Sequence, residues 1–457
     1  MEHDQFFKLV QDPSAFRFGE YNLFKLFYVQ FFFRQTAQPN SAWKVKPRQN
    51  LVWLFLRRLL SLLRAAATVL RLGLLSRKKP RVLFYGATGR LSTIGETTYD
   101  LYNARIIEQR GRDQFIIIQD SDDGASKTYR PNFCLNDFSL LIRLLSGLTR
   151  LTMGRRLQEY AQLVVNTYPG LNFSRAEIAN SVAVFYGNLI VYRCLLTWLA
   201  PERVLLTCHY GREPFIAACK SRHIPCIELM HGSMAGSDSF YSYPPSYSHL
   251  FSQAIFPDKL AVYGEYWRQI VCQGRMFPEN TVVVAGYYLK VPDRPDHLTP
   301  HDKTVILITA QPTVQRELCE YIAFLKSRLD RRHWHIVIKP HPREDATAYA
   351  GLVEPGFVTL SNQSVYELLI QSDIHISAYS SVLFEAIRYG VCNYALFVDS
   401  VASYWNEIVK SGAALALMTD QLPIPCTTSP EAGRLYAADY NPAVLFEHDL
   451  PLPKSTL

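Results

Sequence analysis

WHIVIKPHPRE, residues 334–344, decides the reading of this chain. Ile336, Val337 and Ile338 form an apolar, β-branched run of the kind a strand buried on both faces needs, and Pro340 and Pro342 stop it abruptly. The turn after this strand is chemically loaded, because Lys339, His341 and Arg343 crowd onto it and the two prolines stiffen it. An imidazole and two cations at the carboxyl end of a buried strand suit the binding of a phosphate, and in open α/β sheets that end is where ligands bind.

Working outward, the same alternation recurs on both sides. TVILITAQ (304–311) is a strand, 314–330 a helix, DIHISAYSS (373–381) a strand, VLFEAIRYG (382–390) a helix and VCNYALF (391–397) a strand. Upstream, RVLFYG (81–86), DQFIIIQD (113–120), RVLLTCH (203–209), IPCIELMHG (224–232), DKLAVYG (258–264) and TVVVAG (281–286) read as strands. Helices are expected near 99–110, over much of 137–199 and at GREPFIAACKSR (211–222). Between the two series, KVPDRPDHLTPHDK (290–303) holds three prolines and reads as a linker. Strands alternating with helices predict parallel α/β sheets. The expected architecture is therefore two Rossmann-like domains, 81–290 and 304–457, joined by a linker at 291–303, with a ligand cleft between them and a basic amphipathic helical segment, 1–80, in front.

Three further places carry chemistry. In SAYSSVLFEAIRYG (377–390), Ser380 and Ser381 stand at a helix start, where hydroxyls and free N–H groups can take phosphate oxygens; the plain alternative is a serine cap with nothing bound. Glu385, one turn on, is placed to bind ribose hydroxyls. In ELMHGSMAG (228–236), His231 ends an apolar strand before Gly232 and is a candidate general base for an acceptor hydroxyl, or else a hydrogen-bonded core histidine. In QDSDDGAS (119–126), Asp120 and Asp122 form a DxD triplet, and Asp123 is a rival for the base; most such triplets are solvated turns.

The charge is unevenly placed. The 457 residues carry a net charge of +8, yet 21–95 contains fourteen lysines and arginines and no acidic residue, so the remainder is net acidic. Within this block, Arg57, Ser61, Arg64, Thr68 and Arg71 fall on one stripe of a helix over Leu51–Leu75 that is otherwise apolar. Its arginines interrupt it too soon for a bilayer crossing, and an interfacial helix on an anionic membrane surface is expected. The aromatic YNLFKLFYVQFFFR (21–34) before it and SRKKPR (76–81) after it fit that surface. Nucleic acid is not the expected partner, since the arginines alternate with leucines. Nine cysteines, an odd number with no CxxC pair, predict free thiols in a reducing compartment and neither a disulfide nor a zinc site. Met1–Pro13 lacks the pattern of a secretory signal. The expected location is cytoplasmic, peripheral on the inner face of the cytoplasmic membrane.

At His341-Pro342 and Ser380-Ser381 the chain resembles the GT-B glycosyltransferases that use nucleotide-monophosphate sugars. These include the bacterial sialyltransferases, the Kdo transferases of capsule and lipopolysaccharide synthesis, and the polysialyltransferase-like group. The resemblance spans 81–411. It implies inverting transfer of a Kdo- or sialic-acid-type sugar from a CMP-activated donor to a lipid-linked glycan, with no metal and no cofactor besides the nucleotide-sugar co-substrate. His341 would contact the CMP phosphate and assist its departure, with Ser380 and Ser381 on the same oxygens. The TAQPT loop (309–313), with Thr309 and Gln311, would lie near the base or phosphate. Where that family carries an acidic pair followed by glycine, this chain has His231-Gly232, which is similar to the CDP-glycerol glycerophosphotransferases. Two other readings share the architecture: a sugar-nucleotide 2-epimerase and a non-catalytic GT-B scaffold.

Overall fold

The computed structural model describes residues 2–36, 66–70, 72–74, 82–86, 91–94, 97–121, 131–234, 240–251, 255–273, 277–292, 302–341, 344–426 and 433–446. Two open sheets, parallel throughout, organise the chain. In the first, Val82–Tyr85 lies between Phe115–Gln119 and Arg203–Thr207. Beyond Phe115–Gln119 comes the short Phe133–Cys134; beyond Arg203–Thr207 come Cys226–Leu229, Lys259–Val262 and Val282–Val284. In the second, Thr304–Thr309 lies between Trp334–Lys339 and Ile374–Ser377, with Val358–Leu360 at one edge and Cys392–Leu396, then Leu415–Leu417, toward the other. In each sheet the strand order reverses beside the strand that comes first in the chain, which makes a switch point of the kind that binds ligands in doubly wound folds. The α/β reading therefore holds in both halves.

The central strands exist because they can bury both faces: Leu83, Ile117 and Leu205 in the first sheet, and Ile306, Ile338 and Ile376 in the second, are all fully enclosed. Two long antiparallel helices, Ser139–Thr167 and Arg175–Leu199, cover the first domain. Ser174 and Glu177 close a capping box at the start of the second. The pair touches where Gly187 admits Ser146, since a Cβ on Gly187 would lie 2.3 Å from the Ser146 hydroxyl. Arg175–Leu199 is long and apolar enough to cross a membrane, but Ile178, Val182, Leu189 and Leu196 are buried in the first core.

Three expectations are corrected. The aromatic stretch at 21–34 is not a surface segment. Helix Phe24–Thr36 buries Phe24, Phe27, Tyr28 and Phe31, and with Phe6 and Phe16 it joins the first domain's core. Most of the basic amphipathic segment, including 51–65, lies outside the described residues. The second domain does not run to the end of the chain, because 433–446 returns to the first. There Ala438 N–H donates to Tyr263 O (2.9 Å), Tyr287 N–H to Ala438 O (2.8 Å), and the Arg203 guanidinium to Leu445 O (2.7 Å). Gly286, at φ +77°, permits the approach; a Cβ there would fall 2.1 Å from Asp439 O. Cys392 and Cys426 are joined in a disulfide, leaving seven free cysteines. The segment before Cys426 doubles back over Tyr394, whose hydroxyl donates to Ile424 O, and this brings together two thiols 34 residues apart in sequence. The hairpin Leu91–Ile94/Thr97–Asp100 and the short strands Phe133–Cys134, Val358–Leu360 and Leu415–Leu417 are additions that the sequence does not announce.

Candidate functional site

The second sheet gathers most of the predicted residues. Thr309 ends one strand and Gln311 lies just past it, Lys339 ends the next with His341 just past it, and Ser380 and Ser381 come after Ser377 at the end of the third. These strands are adjacent, and all six residues lie at their carboxyl ends. The loops are tied together: Ser377 Oγ donates to Thr309 O (2.8 Å), and the Tyr379 hydroxyl pairs with Thr313.

Around His341 the turn is closed by Glu344. One oxygen of its carboxylate accepts the His341 N–H (3.1 Å), the other accepts the Tyr349 hydroxyl (2.7 Å), and Glu344 N–H donates to His341 O (2.9 Å). Lys339 is half-buried, and burial lowers its pKa from the ordinary lysine value. Pro342 and Arg343 lie outside the described residues, as does Asp123. Ser380 is buried, and its Oγ accepts the Val382 N–H (3.2 Å) at the start of the short helix Val382–Ala386. Ser380 thus caps this helix, whereas the Ser381 hydroxyl turns to Glu385.

Glu385 is directed elsewhere than the ribose role expected of it. Tyr287, from the first domain, donates to its carboxyl (2.9 Å), and Tyr366 and Ser381 add hydrogen bonds from the second. Burial raises its pKa, and the three hydroxyls oppose the rise. Beside it the Arg388 guanidinium lies over the Tyr287 ring (5.0 Å), and the Tyr389 hydroxyl donates to Pro292 O (3.0 Å). This is the seam between the domains.

His231 belongs to the first sheet. It comes after Met230 at the carboxyl end of Cys226–Leu229 and is half-buried. Its Nε2 meets the Tyr210 hydroxyl (3.2 Å), and its carbonyl accepts from the Tyr102 hydroxyl (2.6 Å). Tyr210 in turn stacks on Phe240 at 4.1 Å. Asp120, the described member of the DxD triplet, accepts from the Tyr85 hydroxyl (2.6 Å).

Two groups near this end of the first sheet escape sequence reasoning. Arg212 is buried at the switch point and donates to the carbonyls of Tyr85 (2.9 Å), Thr207 (2.7 Å) and Gly86 (2.9 Å) while lying 3.7 Å from the Tyr85 ring. His209 and Glu228 are fully enclosed and paired, with Nδ1 to Oε2 at 2.6 Å; the other carboxylate oxygen accepts from His209 N–H (3.0 Å) and the Tyr241 hydroxyl (2.6 Å). Burial pushes the His209 pKa down, against the opposing pull of the Glu228 carboxylate. Burial alone would raise Glu228, but His209, its hydrogen bond, nearby His231 and Tyr241 together hold it below the usual carboxylate value. Beneath them lies Lys25, fully buried, donating to the carbonyls of His209 (3.2 Å) and Ile255 (2.9 Å). A signal exists for each, an arginine at a strand-to-helix turn and a lysine within an aromatic run, but neither names its partners.

No protein-family model matches the chain, and no curated protein matches it. Solved structures do. MurG of Acinetobacter baumannii is similar at 12% identity over 80% of this chain and 92% of that one, with a TM-score of 0.40. The calicheamicin glycosyltransferase CalG4 is similar at 14% identity over 80% and 90%, with a TM-score of 0.41. A UDP-GlcNAc 2-epimerase from Methanocaldococcus jannaschii is similar at 9% identity over 77% and 90%, with a TM-score of 0.42. These likenesses are of fold alone.

Proposed function

We propose that the chain is a GT-B glycosyltransferase that moves a sugar from a nucleotide-activated donor to a hydroxyl acceptor. The observation that carries this reading is the placement of Lys339, His341, Ser380 and Ser381 at the carboxyl ends of the two strands that flank Thr304–Thr309 in the second sheet, at its switch point. The half-buried Lys339 ammonium and the His341 imidazole supply positive charge and a proton donor to a departing nucleotide phosphate, and the serine hydroxyls hold its oxygens. In the inverting reaction the acceptor oxygen attacks the anomeric carbon from the face opposite the phosphate. The carbon–oxygen bond to the phosphate breaks, and its electron pair leaves with the nucleotide. His231, at a strand end of the first sheet, takes the acceptor's proton. The donor proposed is CMP-activated, of Kdo or sialic-acid type, and no step requires a metal. The acceptor proposed is a lipid-linked glycan at the anionic inner face of the cytoplasmic membrane, supported by the lysines and arginines of 44–81. His231-Gly232 favours one second reading, a CDP-glycerol-type glycerophosphotransferase.

Thermal-shift titration with CMP, CDP, UMP and UDP, first without metal and then with Mg²⁺, separates the two. A ligand bound only by the folded state adds about 2.7 kcal/mol at about 100 times its dissociation constant. Metal-free stabilisation by CMP supports the first reading, a stronger response to CDP the second, and a response to neither cytidine nucleotide overturns both. His341→Ala is expected to abolish transfer with an unchanged circular-dichroism spectrum, and wild-type turnover in that variant would remove His341 from the mechanism.

A further inference from the structure

The helix Ser139–Thr167 turns one face to the core and leaves another bare. Toward the core it buries Ser146, Thr149, Leu157 and Val164. Away from it, Leu141, Leu144, Leu148 and Leu151 are exposed by 44, 63, 53 and 84%. Their spacing of three, four and three residues sets them in one row along the helix, about 15 Å long at 1.5 Å per residue. Single exposed leucines need no explanation, whereas a contiguous row of them marks an interaction surface.

The row does not end with this helix. The helical residues 66–70 and 72–74 lie beside its start, where Thr68 Oγ1 donates to Asp137 (2.9 Å), and Gly73 sits against Trp198 at the end of Arg175–Leu199. Leu70, Leu74 and Trp198 are exposed there by 73, 62 and 45%. Two otherwise separate segments therefore contribute apolar side chains to the same end of the helical pair.

The charge beside the row is of one sign. From Phe138 to Gln158 the chain contains Arg143, Arg150, Arg155 and Arg156 and no aspartate or glutamate. Arg143 and Arg150, seven residues apart, are exposed about 100° round the helix from Leu144 and Leu151, with Arg150 hydrogen-bonded to Asn180 of Arg175–Leu199, and Arg156 lies on the other side. Arg155 pairs with Glu159 at 2.8 Å, one turn further along the helix. Leucines flanked by arginines are the composition of a helix lying in a membrane interface, with its apolar row among the acyl chains and its guanidiniums at headgroup phosphates. We infer that this leucine row, with Arg143 and Arg150 beside it, is the surface by which the folded first domain docks on an anionic lipid bilayer. The inference rests on the membrane partner proposed above, and it moves the contact from the basic 51–75 segment alone to a face of the folded domain.

The test is co-sedimentation of the full chain with vesicles of phosphatidylcholine, alone or with about 30% phosphatidylglycerol, at moderate salt. The expected result is binding to the anionic vesicles only. L144Q/L148Q/L151Q is expected to lower the partition coefficient at least about tenfold, and R143Q/R150Q to remove the preference for anionic lipid. L151Q alone, at the most exposed position, is expected to shift binding in the same direction by less. Equal binding by the wild type and the triple variant overturns the docking surface while leaving the membrane partner standing. No binding by the wild type to either vesicle overturns both. A wild-type dimer that the triple variant turns into a monomer, with vesicle binding unchanged, overturns the docking surface and assigns the row to a second copy of the chain. The nucleotide-induced thermal shift, read on the same variants, reports the catalytic reading separately and is expected to be unchanged.

Discussion

Arg212 places a full positive charge among main-chain carbonyls, where three hydrogen bonds, one aromatic face and the Asp120 carboxylate at 3.9 Å are its compensation. Hydrogen bonds from a charged donor contribute about 1.5–3 kcal/mol each, so Arg212→Met is expected to destabilise the protein by at least about 3 kcal/mol. Urea unfolding checks this as a lowered midpoint at constant slope. Arg212→Lys is expected to restore only part of the loss, because a single ammonium cannot span carbonyls on two strands. The contrast with His341 shows which residues a sequence can reveal. His341 is legible because everything that makes it notable, a strand end, two prolines and two neighbouring cations, lies within a few residues of it. Arg212 owes its role to Tyr85 and Gly86, 127 and 126 residues away, and its place at a strand-to-helix turn does not name them. His209 and Glu228 are hidden in the same way, since their pairing depends on two strands being neighbours in the sheet.

The strand Ile374–Ser377 carries a buried histidine across the second sheet. His375 Nδ1–H donates to Asn393 Oδ1 (2.7 Å), Asn393 donates onward to Ala413 O (2.8 Å), and His375 Nε2 accepts the Thr309 hydroxyl (2.9 Å). Burial pushes its pKa down to about 4, and the hydrogen bond to Asn393 opposes the drop. As pH falls below about 6.5 the unfolded chain takes up a proton here and the folded chain does not, so stability is lost between about pH 6.5 and 4. The loss from this group is about 3 kcal/mol across that window, and His375→Gln is expected to flatten the difference in unfolding free energy measured at the two ends. Among elements, the long central strands are readable from their apolar runs. Phe133–Cys134, Val358–Leu360 and Leu415–Leu417 are not, because two or three residues hold no period. Helix Phe24–Thr36 reads as a membrane-facing stretch for a different reason. A helix apolar on most sides reads alike whether lipid or protein surrounds it, and only the packing of Phe24, Phe27 and Tyr28 decides.

The two domains meet through the Tyr287–Glu385 hydrogen bond and the rings beside it. Tyr287→Phe removes one donor from a carboxyl that keeps two others, so the expected cost is about 0.5–1.5 kcal/mol, read by chemical unfolding. A larger effect on the apparent affinity for nucleotide than on unfolding would mark this bond as a restraint on domain closure. At this scale the alternation of strands and helices makes the two-domain plan legible, but the chain's route between the domains is not, since the short apolar stretches 435–438 and 443–446 do not announce where they land. That route has a consequence for how the molecule is made. Because the first domain closes only when Ala438, Asn441 and Leu445 reach it, the second domain is in effect an insertion within the first. On a ribosome, the half that is begun earliest is completed last, and the second domain can be finished while the first still lacks its closing segment. The same double crossing couples the halves mechanically, since a chain that passes between them twice resists the free swivel that one linker would allow.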